Sequence, residues 1–326
     1  MLEHARAQVA AFVAAQARHV IFTSGGTEAD ALALHALGTL QNRRILRGAT
    51  EHDAVRSASA GAAIIAVDRC GVLDLEALEQ ALRNGLPAMV AVMLANNETG
   101  VIHPIEQIAS VCHRYGALLH VDAVQALGRV AVDITALGAD SLALSAHKLG
   151  GPKGVGALVL ARDMAVHPLI AGGGQEKGWR GGTQNLTGAA GFAAACRMNP
   201  PDHLLWREQI AVAARAAGAM VAGEGALRLP NTVNLILPGV RADLQLITLD
   251  LAGFAVSAGA ACSSGKVARS HVLEAMGLAA HAGEAIRVSL SWQTEADHVA
   301  AFIDAYVAMA KRLMARPSMQ ASGGMA

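Results

Sequence analysis

Aromatic residues make up only 3% of the 326-residue chain and charged residues only 16%. Lys plus Arg equals Asp plus Glu at 26 each, so the formal net charge is zero. No basic run and no basic–aromatic interleaving stands out, which excludes a dedicated nucleic-acid binder. No uncharged apolar stretch reaches the ~18 residues needed to span a bilayer. The opening segment, MLEHARAQVAAFVAAQARHV, reads as an amphipathic helix without the apolar core and cleavage site of a signal peptide. The expected location is the cytoplasm, with no membrane partner. Cysteine is also sparse. Cys70, Cys112, Cys196 and Cys262 form no CxxC pair, so their spacing points neither to a zinc site nor to a disulfide framework, and no metal is expected.

What is abundant is small and aliphatic. Hydrophobic residues reach 53%, the composition of a compact helix-and-sheet protein. Through the first 165 residues short apolar runs alternate with helical patterns. HVIFTSGG, NRRILRG, AAIIAVD, PAMVAVMLA, ALLHVDA, SLALSAH and GVGALVLA read as strands. TEADALALHALG, HDAVRSASA, LDLEALEQALRNG and HPIEQIASVCHRYG read as helices between them. This rhythm predicts an α/β fold with a mainly parallel sheet, and in such sheets ligands sit at the carboxyl ends of the strands. A glycine-rich loop, AGGGQEKGWRGGTQN, is followed by alanine-rich helices at about 186–198 and 203–222. TVNLILPG, FAVSAGAACSSG and EAIRVSLS then suggest further strands, with a helix over ADLQLITLDLAG and a last one from 295. The expected organisation is a large domain over 1–205, a small α+β domain over 206–316 and a disordered tail over 317–326.

Polar motifs collect where the apolar runs end. TSGGTEAD takes a strand through a glycine turn into a helix start. Its free N–H groups, with the Gly26 backbone and the Thr27 hydroxyl, favour an anion. On its own this turn is a weak signal. Lys148, one of only five lysines, follows SLALSAH beside Ser145 and His147. A surface lysine is the ordinary reading, but desolvation at a strand end would lower the amine's pKa and make it a nucleophile toward carbonyls. Asp122 ends the run ALLHV, and a buried carboxylate there needs a partner, either an arginine or a protonated ring nitrogen. Gln125 follows it, and Asn97 in NNETG lies at the same edge of the sheet.

Taken together, TSGGTEAD, TEHDAV, NNETG, HVDAVQ, SAHKLGGPKGVGAL, GGGQEKGWRGGTQN and SAGAACSSG resemble the class V aminotransferase group, most closely the NifS/IscS-type cysteine desulfurases. SxHK with HVDAxQ is the specific part, and the likeness spans about residues 2–312. It implies the fold-type-I architecture of pyridoxal-phosphate (PLP) enzymes. On that resemblance Lys148 matches the Schiff-base lysine, Asp122 the partner of the pyridinium nitrogen and His52 the imidazole stacked on the ring. Asn97 and Gln125 match groups near the cofactor's oxygen. Gly26, Thr27, Ser145 and His147 match the phosphate cradle. Thr183 matches a phosphate contact given to the other subunit's cofactor, which implies a homodimer. Arg287 matches the clamp on the substrate carboxylate, a role suited to its bidentate fork.

Cys262 matches the nucleophile that takes sulfur from L-cysteine, leaving alanine and a persulfide destined for an acceptor such as an iron–sulfur scaffold. Selenocysteine lyase, another class V reaction and an impaired paralogue are the alternatives. The family pattern carries a few dozen residues ahead of the helix at which this chain opens, and SAGAAC stands where SSGSAC is usual.

Overall fold

The computed structural model describes residues 1–198, 201–259 and 269–315. A first helix, α1 (Leu2–Phe12), leads into β1 (Val20–Thr23) and α2 (Gly26–Ala33). Then come β2 (Arg44–Gly48), α3 (Asp53–Ala58), β3 (Ala63–Ile65), α4 (Leu75–Leu82), β4 (Ala88–Met93), α5 (Ile105–Arg114), β5 (Leu118–Asp122), β6 (Ser141–Ser145) and β7 (Gly156–Leu160). The seven strands form one sheet in the order β1-β7-β6-β5-β4-β2-β3. Every residue of β4, β5, β6 and β7 is buried. That burial explains why their sequences run apolar without alternation: helices cover both faces.

The strict strand–helix rhythm expected from sequence breaks after β5. No helix longer than a turn joins β5 to β6 or β6 to β7. The residue 146–155 link is too short for a crossover, so β7 returns antiparallel to β6 and also pairs antiparallel with β1. The other pairings are parallel. The carboxyl ends of β1, β2, β4, β5 and β6 therefore open on the same edge, joined there by the start of β7.

Downstream lie α6 (Leu186–Ala195), α7 (Leu204–Ala216), β8 (Met220–Val221), β9 (Thr232–Ile236), α8 (Ala242–Leu251), α9 (His271–Ala275), β10 (Ala285–Ser289) and α10 (Ala296–Met314). β10, β9 and β8 make a second, antiparallel sheet. It has its own apolar core, in which Leu235 and Ile286 meet Phe302 and Tyr306 of α10. The strand expected at FAV does not form. Ser257 makes only an isolated bridge to Arg287, because the chain leaves β10 on either side of that pair. Among the described residues no helix is long and apolar enough to cross a membrane.

Candidate active site

A cavity of about 420 Å³ sits at the shared strand edge. Its wall includes Gly26, Thr27, His52, Asn97, Asp122, Gln125, Ser145, His147, Lys148 and Arg287. These are ten of the twelve residues singled out from sequence. Thr183 lines a separate hollow of about 130 Å³ beside Ser24, Glu176 and Arg180. Cys262 lies outside the described residues.

Each side chain arrives at the cavity for a local reason. Asp122 is the last residue of β5, and its Oδ1 accepts from Val124 N at 2.9 Å, which turns the chain away from the strand. Ser145 ends β6, and its Oγ lies 2.9 Å from His147 Nδ1. One further residue along, Lys148 stands half-buried in a short turn. Its carbonyl accepts from Arg129, which also donates to Gln125 O at 2.6 Å. His52 caps α3, with Nδ1 accepting from Ala54 N at 3.1 Å, so the neutral ring carries its proton on Nε2. Asn96 folds the NNETG turn by accepting from the N–H groups of Glu98 and Thr99, which presents Asn97 to the cavity. Arg287 of β10 comes from the second sheet. It donates to Asn97 O at 2.8 Å and to Ser257 Oγ at 3.2 Å, so the two sheets meet at this residue.

The electrostatics divide the wall. Burial raises Asp122 to about 7. Burial also lifts Asp30 and Glu51 well above the ordinary carboxylate range. On the other side, burial lowers the Lys148 amine, and the guanidinium groups of Arg287 and Arg129 lower it further. A lysine depressed in this way is a better nucleophile at neutral pH.

These residues fit PLP. Asp122 is a buried carboxylate to which, among the described residues, no Lys or Arg is hydrogen-bonded, and a protonated ring nitrogen would supply a cation there. Asn97 Oδ1 and Arg287 Nε are buried without partners among the described residues, which leaves polar groups for a bound molecule. At Gly26 a Cβ would come within 2.6 Å of Val124 Cγ2, so only glycine brings the α2 start this close to β5. The first N–H groups of α2 have no intrahelical acceptors, and Thr27, Ser145 and His147 stand around them.

Sequence patterns missed several members of this wall. Asp30, Glu51, Glu98, Arg129 and His271 all lie on or behind it. Asp30 and Glu51 sat inside motifs already noted, and a charged residue within a buried run was the available signal. Arg129 carried none.

The sequence matches the description Aminotransferase class-V over residues 1–302. A curated cysteine desulfurase of Cereibacter sphaeroides is 42% identical over 314 residues, which is 90% of this chain and 80% of that one. One from Gluconacetobacter diazotrophicus is 40% identical over 322 residues, 91% of this chain and 79% of its own. Among solved structures, a NifS-like protein from Rickettsia africae superposes with a TM-score of 0.85 at 31% identity, covering 95% of this chain and 88% of that one. With matches of this extent in both sequence and backbone, the chain belongs to the class-V aminotransferase family.

Proposed function

We propose that the protein is a cysteine desulfurase that uses PLP to move sulfur from L-cysteine to Cys262. The observation that carries the reading is the Lys148–Asp122 pair. A depressed amine and a buried carboxylate with no Lys or Arg partner among the described residues face one cavity, just past the ends of adjacent strands. Curated relatives named cysteine desulfurase and a solved relative titled SspA in complex with cysteine support the substrate.

PLP is the family's cofactor, and when bound it supplies an electron sink for charge developing at the substrate's Cα. Lys148 holds the cofactor between turnovers and, once released, takes the Cα proton and returns it. Its depressed pKa favours the free base that this step needs. Asp122 would pair with the ring nitrogen and hold its proton there. His52 lines the same cavity and would move a proton through Nε2. Arg287 keeps its positive charge despite burial, and its remaining N–H donors clamp the substrate carboxylate. Cys262 Sγ then attacks the substrate sulfur. An S–S bond forms as the Cβ–S bond breaks, and protonation at Cβ completes alanine. The persulfide left on Cys262 passes to a sulfur acceptor such as an iron–sulfur scaffold.

Thr183 lines a different hollow from the other cofactor residues, which supports a role at the partner's site in a homodimer. Burial raises the free thiols of Cys112 and Cys196 to about 12, leaving them inert, and this fits a reducing, cytoplasmic setting.

Replacing Cys262 with Ala tests the assignment. Cysteine-dependent release of alanine and sulfide should fall to background while the cofactor's visible absorbance persists. Full-rate release in that variant would overturn the reading.

A further inference from the structure

Beside Asp122 lies a chain of buried polar side chains, Asp30, His120 and Ser141, of which Asp30 also lines the cavity. His120 and Asp122 are two apart on β5, so both face the side of the sheet covered by α2. Asp30, on α2, is 1% exposed and sits with Oδ1 3.1 Å from His120 Nε2. The other ring nitrogen, Nδ1, is 2.8 Å from Ser141 Oγ on β6, the residue directly across the sheet from His120. His120 and Ser141 are fully buried.

We propose that Asp30 is a positioning residue that keeps its proton, shared with His120 and backed by Ser141, so that it adds no negative charge beside Asp122. The proposal rests on the reading that Asp122 faces the cofactor's ring nitrogen.

Asp30, Glu51 and Asp122 are all buried, and among the described residues no Lys or Arg is hydrogen-bonded to any of them. Three like charges there cannot all persist. A ring cation at Asp122 selects that group for ionisation. Glu51 is fully buried, accepts from Met93 N at 3.0 Å and is raised well above its ordinary range, chiefly by burial. Asp30 has two options, an ion pair with His120 or a neutral pair. The ion pair would bury two charges and place a cation two residues from Asp122, where it would compete with the ring nitrogen.

The neutral pair buries none. It also gives every position a consistent donor: the Asp30 carboxyl donates to Nε2, and Nδ1–H donates to Ser141 Oγ. The environment agrees, since burial pushes Asp30 well up and His120 down to about 4. His52 and Lys148, titratable groups that interact electrostatically with Asp122, line the same cavity and make no hydrogen bond to Asp30 or His120. Arg47 acts on Glu51 only at a distance.

The holoenzyme provides the test. Asp30→Asn keeps the charge and can still donate to Nε2, so cofactor dissociation should stay within about twofold of the unaltered protein. Asp30→Ala leaves Nε2 without its donor and lets His120 take a proton. Its cofactor dissociation constant should rise about tenfold, and more as the pH falls. Equal behaviour of the two variants, whether both weakened or both unchanged, overturns the proposal.

An infrared difference spectrum, unaltered holoenzyme minus Asp30→Asn, should show the loss of a protonated-carboxyl band. Loss of a carboxylate band instead contradicts it. If neither variant folds, isotope-labelled aspartate in the unaltered holoenzyme must show a protonated carboxyl at neutral pH, and its absence is equally decisive. Asp122→Asn separates the underlying reading, which fails if cofactor affinity there is unchanged whatever Asp30 does.

Discussion

The two sides of the cavity use one physical cause to opposite ends. On the acidic side, burial raises Asp30, Glu51 and Asp122. On the basic side, burial lowers Lys148, Arg129 and Arg287. Desolvation always disfavours the charged form, so each side is stabilised when a ligand brings the complementary group. The acids await a cation; the bases await a phosphate, a carbonyl or a carboxylate. PLP with an amino acid supplies all of these. The difference also explains why the basic side is knitted to backbone carbonyls, with Arg129 on Gln125 and Lys148 and Arg287 on Asn97, whereas the acids lean on N–H groups and His120.

The largest effect should come from breaking the basic side. Arg287→Gln removes the charged fork while leaving an amide in place. Steady-state kinetics with L-cysteine should show kcat/KM reduced by about tenfold to a hundredfold, mostly through KM, as expected for losing a charge-assisted pair. An unchanged KM would place the substrate carboxylate elsewhere.

A smaller effect sharpens the acidic side. In cofactor-free protein the folded-state value of Asp122, about 7, lies above that of the unfolded chain. Its contribution to stability is then complete below about pH 4 and is lost as the pH rises through 7, by on the order of 1 kcal/mol per pH unit. Thermal melts of cofactor-free protein across that window should show this fall, with a shallower slope in Asp122→Asn. Adding PLP should flatten the slope in the unaltered protein by pairing the carboxylate.

Much of this arrangement was legible in the sequence, and the reasons are specific. β4, β5 and β6 announced themselves as apolar runs because helices bury both their faces. Lys148, Asp122 and Ser145 were legible because a polar residue closing such a run must emerge at the sheet's edge. Gly26 was legible through its turn, although the 2.6 Å approach to Val124 that requires glycine shows only in three dimensions. The antiparallel return of β7 was not legible, because a strand's direction depends on the length of its link and not on its own residues. Arg129 and the Asp30–His120 pair were also missed. Their roles come from partners about 20 and 90 positions away, and no local pattern records that.

The central claim is that Lys148 carries the cofactor. Purified protein can be incubated with PLP, treated with borohydride to fix the cofactor to the amine that holds it, digested and mapped by mass spectrometry. A pyridoxyl group is expected on the Lys148 side chain, located by fragmentation of its peptide, and none on Lys153 or Lys177. A label on another lysine, or no label after the same treatment, would contradict it.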